Sequence, residues 1–494
     1  MNKSELKTSL EISPNYRLLE PSKCFVFSFA KQLGLDDENC NVLAGGMQAA
    51  VNLVVQTCSG SNRGEPIKIS LSETAGKIEM DILNQGIPLA SDDLSILDKL
   101  LKKFDAPGEK FEQISIENHG RLGQSICFNL SKGRSAIPPS VLETGENNSS
   151  EEIDPENIEI RLLKHGEEAD LSRLFFFVYE YKYINEFIYY PEKVRLMIDS
   201  GDLISIVAAL PNGRLVGHAA LRKWNSNPSV YEPCLGLIDP RVKSRGFFGK
   251  IFNVLFEKAR EIPMQYCFLD FVTNHDYSQR LIAKYGSVDL SVFVGCQSPA
   301  TQARLRDLGI GKDPVGTDRY SILYSIIPMT RQPFGEAVYL PNTLGSELDF
   351  ILKALNMEWY PSPRFNPLAP DGEYKTLRHG AQLSVYFGLE FPGKKALENL
   401  LNEWKHLLRE GYKYAAVDVP LDQPGFGIVH EILTNNGFFI SGFMPFRNTG
   451  RLGFRFQAVA PFRIDFNEIK IFSENGKKLL SLIKELYERI NPND

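Results

Sequence analysis

Four cations and two glycines crowd one short stretch of this chain. Arg241, Lys243, Arg245 and Lys250 stand with Gly246 and Gly249 in the run Leu237-Ile-Asp-Pro-Arg-Val-Lys-Ser-Arg-Gly-Phe-Phe-Gly-Lys250. Upstream, residues 230–238 read as a strand; downstream, Ile251, Val254, Leu255 and Ala259 recur at helical spacing. A strand that turns through glycines into a helix offers unpaired main-chain N–H groups and about half a positive charge at the first helical turn. Glycine also lets the backbone close on a ligand. That combination suits a phosphate or pyrophosphate. The flanking strands carry three groups that could move a proton or attack a carbonyl: Glu232, His218 and Cys234. Each has a plainer reading. Glu232 reads as a solvent-facing strand residue, His218 as a hydrogen-bonded core residue, and Cys234 as packing, because no neighbouring cation lowers its thiol pKa.

The elements that must position this stretch form an α/β series over residues 158–330. A strand at 158–163 is followed by helices at 169–181 and 191–200. Strands at 203–210 and 215–221 pair across Pro211-Asn-Gly213, a hairpin signal. After the glycine stretch comes a near-continuous apolar strand at 266–272, as in a sheet interior, then a helix over 274–286 stopped by Gly286. Strands around 291–294 and 321–327 complete the series. Residues 331–494 repeat much of that order: strand 383–390, amphipathic helix 394–409, strand 414–420, helix 425–436, paired strands 438–443 and 452–459, and a closing helix at 475–490. Residues 1–135 form a separate domain, with a helix at 41–56 and an alternating hairpin at 66–71 and 77–83. Residues 136–157 lack periodicity and are rich in acid, Ser, Asn and Pro, the composition of a linker.

Composition narrows the function class. A chain of 494 residues holds roughly two to four domains. A net charge of -6 argues against a general attraction to nucleic acid or to an anionic membrane. No apolar run reaches the roughly 18–20 residues that span a bilayer, and the first residues lack a signal-peptide core. Seven cysteines without a Cys-x-x-Cys and seven scattered histidines give neither a disulfide framework nor a metal site. The expectation is a cytoplasmic protein with reduced thiols and no structural metal.

The stretch Lys243-Ser-Arg-Gly246-Phe-Phe248 resembles the pyrophosphate loop of the GNAT family of N-acyltransferases, Arg/Gln-x-x-Gly-x-Gly/Ala, with Phe248 at the place of a small residue. The run Val272-Thr-Asn-His-Asp-Tyr-Ser-Gln279 resembles that family's fifth strand entering its fourth helix. The resemblance implies an acetyl-CoA (or other acyl-CoA) co-substrate held by Leu237, Ile238, Arg241, Lys243, Ser244, Arg245, Gly246, Phe247, Phe248, Gly249, Asn274 and Ser278. It also implies Glu232 as the base that deprotonates an acceptor amine. The family's tyrosine acid falls at Ile282 here; Tyr277 and Tyr285 lie nearby without matching by position. Residues 331–494 resemble a second GNAT copy in which only Phe391-Pro-Gly393 stands where the loop would be.

Residues 1–135 are similar to the GHKL ATP-binding domain of anti-sigma-factor kinases, with Asn52 at the Mg²⁺-binding asparagine, Asn84-Gln-Gly86 for Asp-x-Gly, and Gly120-Arg-Leu-Gly123 at the second glycine box. Gln48 replaces the family's glutamate, and an amide does not take up a proton as a carboxylate does, which argues against ATPase or kinase chemistry. The expectation is a structural or partner-binding domain, with residual ATP or ADP binding at Asn52, Asn84 and Gly86 as the alternative. The fold class is therefore α/β (α+β): a mixed-sheet GNAT fold in two copies plus a GHKL-like α/β sandwich. The leading function is transfer of an acyl group, expected to be acetyl, from CoA to an amine. The rival is a non-catalytic ligand-sensing or anti-sigma-like regulator with a protein partner at its first domain.

Overall fold

The computed structural model describes residues 7–57, 65–74, 77–89, 91–131, 157–183, 185–224, 227–242, 246–298, 319–362, 368–422, 425–446, 450–460 and 464–490. The linker expected over 136–157 lies almost wholly outside them. The fold is mixed α/β, and the chain divides into two compact units: Met1–Ala220 with Leu235–Val254, and Leu221–Cys234 with Leu255–Asp494.

The first unit opens with β1 (Lys7–Ile12), α1 (Leu19–Gln32), α2 (Asp37–Thr57), β2 (Ile67–Thr74), β3 (Lys77–Asn84), α3 (Ser91–Lys103), β4 (Gln113–Asn118) and β5 (Gln124–Ser131). The strands form an antiparallel sheet in the order β1-β2-β3-β5-β4. Helix α2 is buried on nearly every side from Val42 to Val54 because α1, α3 and the sheet all pack on it. Two glycines permit that crowding. A Cβ at Gly46 would stand 2.8 Å from the Phe111 ring, and one at Gly45 would overlap the Phe104 carbonyl.

The chain continues through β6 (Glu159–Leu162), α4 (Glu168–Tyr179), α5 (Pro191–Asp199), β7 (Leu203–Ala209), β8 (Leu215–Trp224), β9 (Asn227–Ile238) and α6 (Phe247–Ala259). Strands β6 to β9 are neighbours in chain order. Helix α4 ends two residues before the expected Tyr181, because Glu180 turns to φ +48°. Helix α6 sits closely on its strands. Gly217 leaves room for Ile251 and Gly236 for Phe248, each within 2.7 Å of where a Cβ would stand.

The second unit holds β10 (Tyr266–Val272), α7 (Tyr277–Ala283), β11 (Val288–Gln297), β12 (Tyr320–Pro328), β13 (Ala337–Leu340), α8 (Asn342–Ala354), β14 (Glu358–Pro361), β15 (Glu373–His379), β16 (Ser384–Phe391), α9 (Lys394–Arg409), β17 (Tyr414–Pro420), α10 (Phe426–Asn435), β18 (Phe439–Pro445), β19 (Leu452–Val459) and α11 (Glu474–Ile490). Its sheet runs β10-β12-β11-β18-β19-β17-β16-β15. The series β10-α7-β11-β12 and β17-α10-β18-β19 thus take the same strand order, and even the register repeats: Asp270 faces Tyr324 as Asp418 faces Arg455. The two series join at β11 and β18, where Ser291 faces Gly442. There Ser441 Oγ and Gln457 Nε2 donate to the Val292 carbonyl at 2.8 and 3.0 Å. Gly442 has φ +128°, and a Cβ on it would overlap the Leu290 carbonyl, so only glycine lets the strands close.

Candidate functional site

The glycine stretch is organised by a buried carboxylate. Asp239, 1% exposed, accepts from Arg214 Nη2 at 3.0 Å and from Arg241 through its main-chain N (3.0 Å), Nε (2.9 Å) and Nη2 (2.6 Å). Burial raises the Asp239 carboxyl pKa, and the Arg214 guanidinium opposes that rise. Arg241 therefore braces the start of the turn, where sequence reasoning assigned it to a ligand phosphate. Lys243, Ser244 and Arg245 lie outside the described residues. Gly246 has φ +86°, and among the described residues nothing lies within 4 Å of where its Cβ would be; Phe247 then begins α6. The first turn of α6 carries no acidic residue to occupy its N–H groups. Phe247 is buried, and the Phe248 ring lies on Gly236 and edge-on to Phe252, 4.8 Å between centroids. The large residue at the loop's last place is thus matched by a glycine on the strand beneath it.

Strand β9 changes course just before this turn. Leu235 adopts φ +56°, a conformation costing a leucine roughly 1–2 kcal/mol. His218 holds it: Nδ1 donates to the Leu235 carbonyl at 2.7 Å, which leaves Nε2 to accept from the Ser205 hydroxyl at 2.7 Å. The ring is fully buried, and burial lowers its pKa to about 4, so it is neutral at pH 7. His218 is a strand fastener, in line with its plainer reading. Leu237 and Ile238 continue β9 beyond the irregularity, and Ile238 shares the underside of α6 with Gly217.

The remaining candidates belong to the second unit. Glu232 accepts from Arg222 Nε at 3.1 Å and from Nη2, so its carboxylate has a guanidinium partner. Burial, with Glu232 beside it, raises the Cys234 thiol pKa, which keeps it protonated and inert. Strand β9 pairs in parallel with β10 at Val230 and Tyr231. Asn274 follows β10, and its Oδ1 is enclosed with no hydrogen-bond donor among the described residues; the adjacent His275 Nδ1 likewise has no partner among them. Ser278 is half-buried in the first turn of α7. The helix expected from 274 begins only at Tyr277, with no side-chain cap. Ile282 is buried, Tyr277 is 75% exposed, and Tyr285 stacks on Phe256 at 4.2 Å, its pKa pushed up to about 12 by burial. Ile282, where the family resemblance would put a tyrosine acid, has no ionisable group.

The nucleotide-type residues of the first domain are taken up within the protein. Asn84 Nδ2 donates to the Gln124 carbonyl at 3.2 Å, and its Oδ1 accepts from Gly86 N at 3.0 Å. The Gly86 carbonyl accepts from the Tyr181 hydroxyl at 3.1 Å. Asn52 Oδ1 accepts from Gln56, and Gln48 donates to Glu20. A side chain at Gly120 would run into Glu186 and Tyr190. No group of three or more metal-ligating side chains is found among the described residues, and no helix among them is long and apolar enough to cross a membrane.

No family model matches the sequence, and no curated protein matches it. Solved structures that match include a spermidine N-acetyltransferase from Vibrio cholerae in complex with CoA and spermine, 15% identical, covering 35% of this chain and 96% of that one, TM-score 0.26. An N-acetyltransferase from Staphylococcus aureus Mu50 matches at 12% identity, covering 35% of this chain and 97% of that one, TM-score 0.25.

Proposed function

We propose that residues 158–330 form a GNAT-like acyltransferase domain that binds an acyl-CoA at the 241–250 turn, and that residues 331–494 are a GNAT-like copy without that site. The observation that carries this reading is the passage from β9 to a positive-φ glycine, where a Cβ would meet none of the described residues within 4 Å, and into an α6 first turn free of acidic residues. Main-chain N–H groups from Gly246 to Gly249 would hold the diphosphate. The amine nitrogen would attack the thioester carbonyl, aided by strand N–H groups near Leu237 and Ile238; the C–S bond breaks, the amine loses a proton and the thiolate gains one. Glu232 is the candidate base, and its ion pair with Arg222 has to open or be shared for it to act. Asn274 and Ser278 are further candidates for coenzyme contact, and the enclosed Asn274 acceptor favours a donor from outside the protein. The first domain is read as a degenerate GHKL domain with a structural or partner-binding role.

Calorimetry with acetyl-CoA tests the reading. Gly246→Asp is expected to weaken binding at least about tenfold, roughly 1.4 kcal/mol, and equal affinity would remove the turn's role. A second reading, a ligand-sensing regulator, is favoured by the two arginines committed to carboxylates, Arg241 to Asp239 and Arg222 to Glu232. Thiol release with a panel of amines separates the two, since a sensor binds without turnover.

A further inference from the structure

We propose that the first domain controls the Asp239–Arg241 clamp, where the glycine stretch begins, through helix α4. The contact surface is made by the residues that resemble a nucleotide site. The Tyr181 hydroxyl donates to the Gly86 carbonyl, and Arg121 N donates to Glu186 Oε1 at 3.2 Å. Gly120 lies so close to Glu186 and Tyr190 that no side chain fits there. Beside these contacts, Asp93, 4% exposed, accepts from Arg173 Nη2 at 2.7 Å. Arg173 stands on α4, and one turn further along the same face stands Phe177. The guanidinium carbons of Arg241 and Arg214 lie 5.8 and 5.9 Å from the centre of the Phe177 ring. Those two arginines are the ones that clamp Asp239 where the turn begins.

A continuous path therefore runs from Asp93 through Arg173, one turn of α4, Phe177 and Arg241 to the turn that is read as the coenzyme site. Each step is an ion pair, a single helical turn or a ring–guanidinium contact, so a shift at one end has a rigid route to the other. The connection from α4 to α5 needs such a brace. It contains Glu180 at φ +48°, which neighbouring structure has to hold in place. A ligand or partner that displaced the first domain from Tyr181 and Glu186 would free this connection and loosen the clamp on Asp239. The docked domain is thus a built-in regulator of that site, an inference that rests on the coenzyme reading of the turn.

Hydrogen–deuterium exchange on the full, ligand-free chain tests the coupling. In an Asp93→Asn/Tyr181→Phe double variant, exchange at residues 180–190 and in peptides covering 236–252 is expected to rise together by about two- to fivefold. Phe177→Ala, at a side chain already 40% exposed, is expected to loosen 236–252 while leaving 84–93 unchanged. A double variant in which 180–190 loosens and 236–252 does not overturns the proposal, as does unchanged exchange at 180–190. If the double variant fails to fold, Phe177→Ala decides alone, and unchanged exchange at 236–252 overturns it. Calorimetry of the wild-type chain with acetyl-CoA judges the coenzyme reading separately: absent binding sinks that reading and leaves the exchange result to stand by itself.

Discussion

The passages from β9 to α6 and from β16 to α9 are built to the same plan and finished differently. Strands β16 and β17 pair in parallel at five successive positions, from Ser384–Tyr414 to Gly388–Asp418. Strand β9 pairs with β10 at Val230 and Tyr231, and Leu235 then leaves regular geometry. The helix starts differ as well. The first N–H groups of α9 are already engaged, with Lys394 N donating to the Ala369 carbonyl at 2.9 Å and Lys395 N to the Pro370 carbonyl at 3.1 Å. Gly393 lies so close to Asp371 that a Cβ would overlap the Asp371 carbonyl. At α6 the corresponding glycine, Gly246, faces open space. The α9 start is plugged by its own chain, and among the described residues nothing stands on Gly246 at the start of α6. On the reading proposed here, residues 331–494 would lack an anion site because backbone fills its place as well as because cations are missing.

The largest expected effect comes from testing those two glycines against each other. Gly393→Ala forces main chain apart and is expected to cost about 4 kcal/mol or more. Gly246→Ala meets none of the described residues, and its positive φ sets the expected cost, about 1 kcal/mol. Urea midpoints measure both, and similar losses would erase the contrast. The matching aspartates give the next comparison. Asp418→Ala strands the buried Arg455, now held by bonds of 2.6 and 2.8 Å, and is expected to cost roughly 3–5 kcal/mol. Asp270, at the same register on β10, is exposed to water, so its change to Ala is expected to cost less than that of Asp418.

A smaller effect sharpens the role of His218. Its pKa is about 4 in the folded chain and 6.5 as a free group. Above pH 6.5 both states are neutral and the group adds no pH dependence. As pH falls from 6.5 to 4 the unfolded chain takes up a proton that the folded chain refuses, so stability drops by roughly 3 kcal/mol. His218→Gln should flatten that part of the urea-midpoint profile. A profile unchanged by the substitution would mean that His218 titrates freely.

Much of the fold could be read from the sequence where a pattern is local. The buried helix α2, the β2–β3 and β7–β8 hairpins, the apolar β10 and the amphipathic α9 all stand where periodicity and turn residues put them. The short exposed strand β15 carries no such pattern, because five of its seven residues are charged or polar and it lies at the sheet's edge. The helix expected over 274–286 is shorter, Tyr277–Ala283, because Asn274 to Asp276 are not helical and the chain leaves the helix at Lys284. At the site, the glycines and their chain order were legible. The partners were not: Arg241 with Asp239, Glu232 with Arg222 and His218 with Leu235 are choices among several residues that only tertiary packing makes. The complement of Phe248 and Gly236 had a signal, a large residue in a small residue's place with a new glycine twelve positions earlier, but its meaning needed the strand and helix face to face.

The joint between β11 and β18 has a practical corollary. Each of those strands would be a bare margin, rich in Val, Phe and Ile, if its neighbour were removed. Unpaired margins of that kind recruit other chains. A fragment cut after residue 330 should therefore clump during expression however well its own domain is formed, while a cut before the first domain's final strand would fail for a different reason, loss of a core.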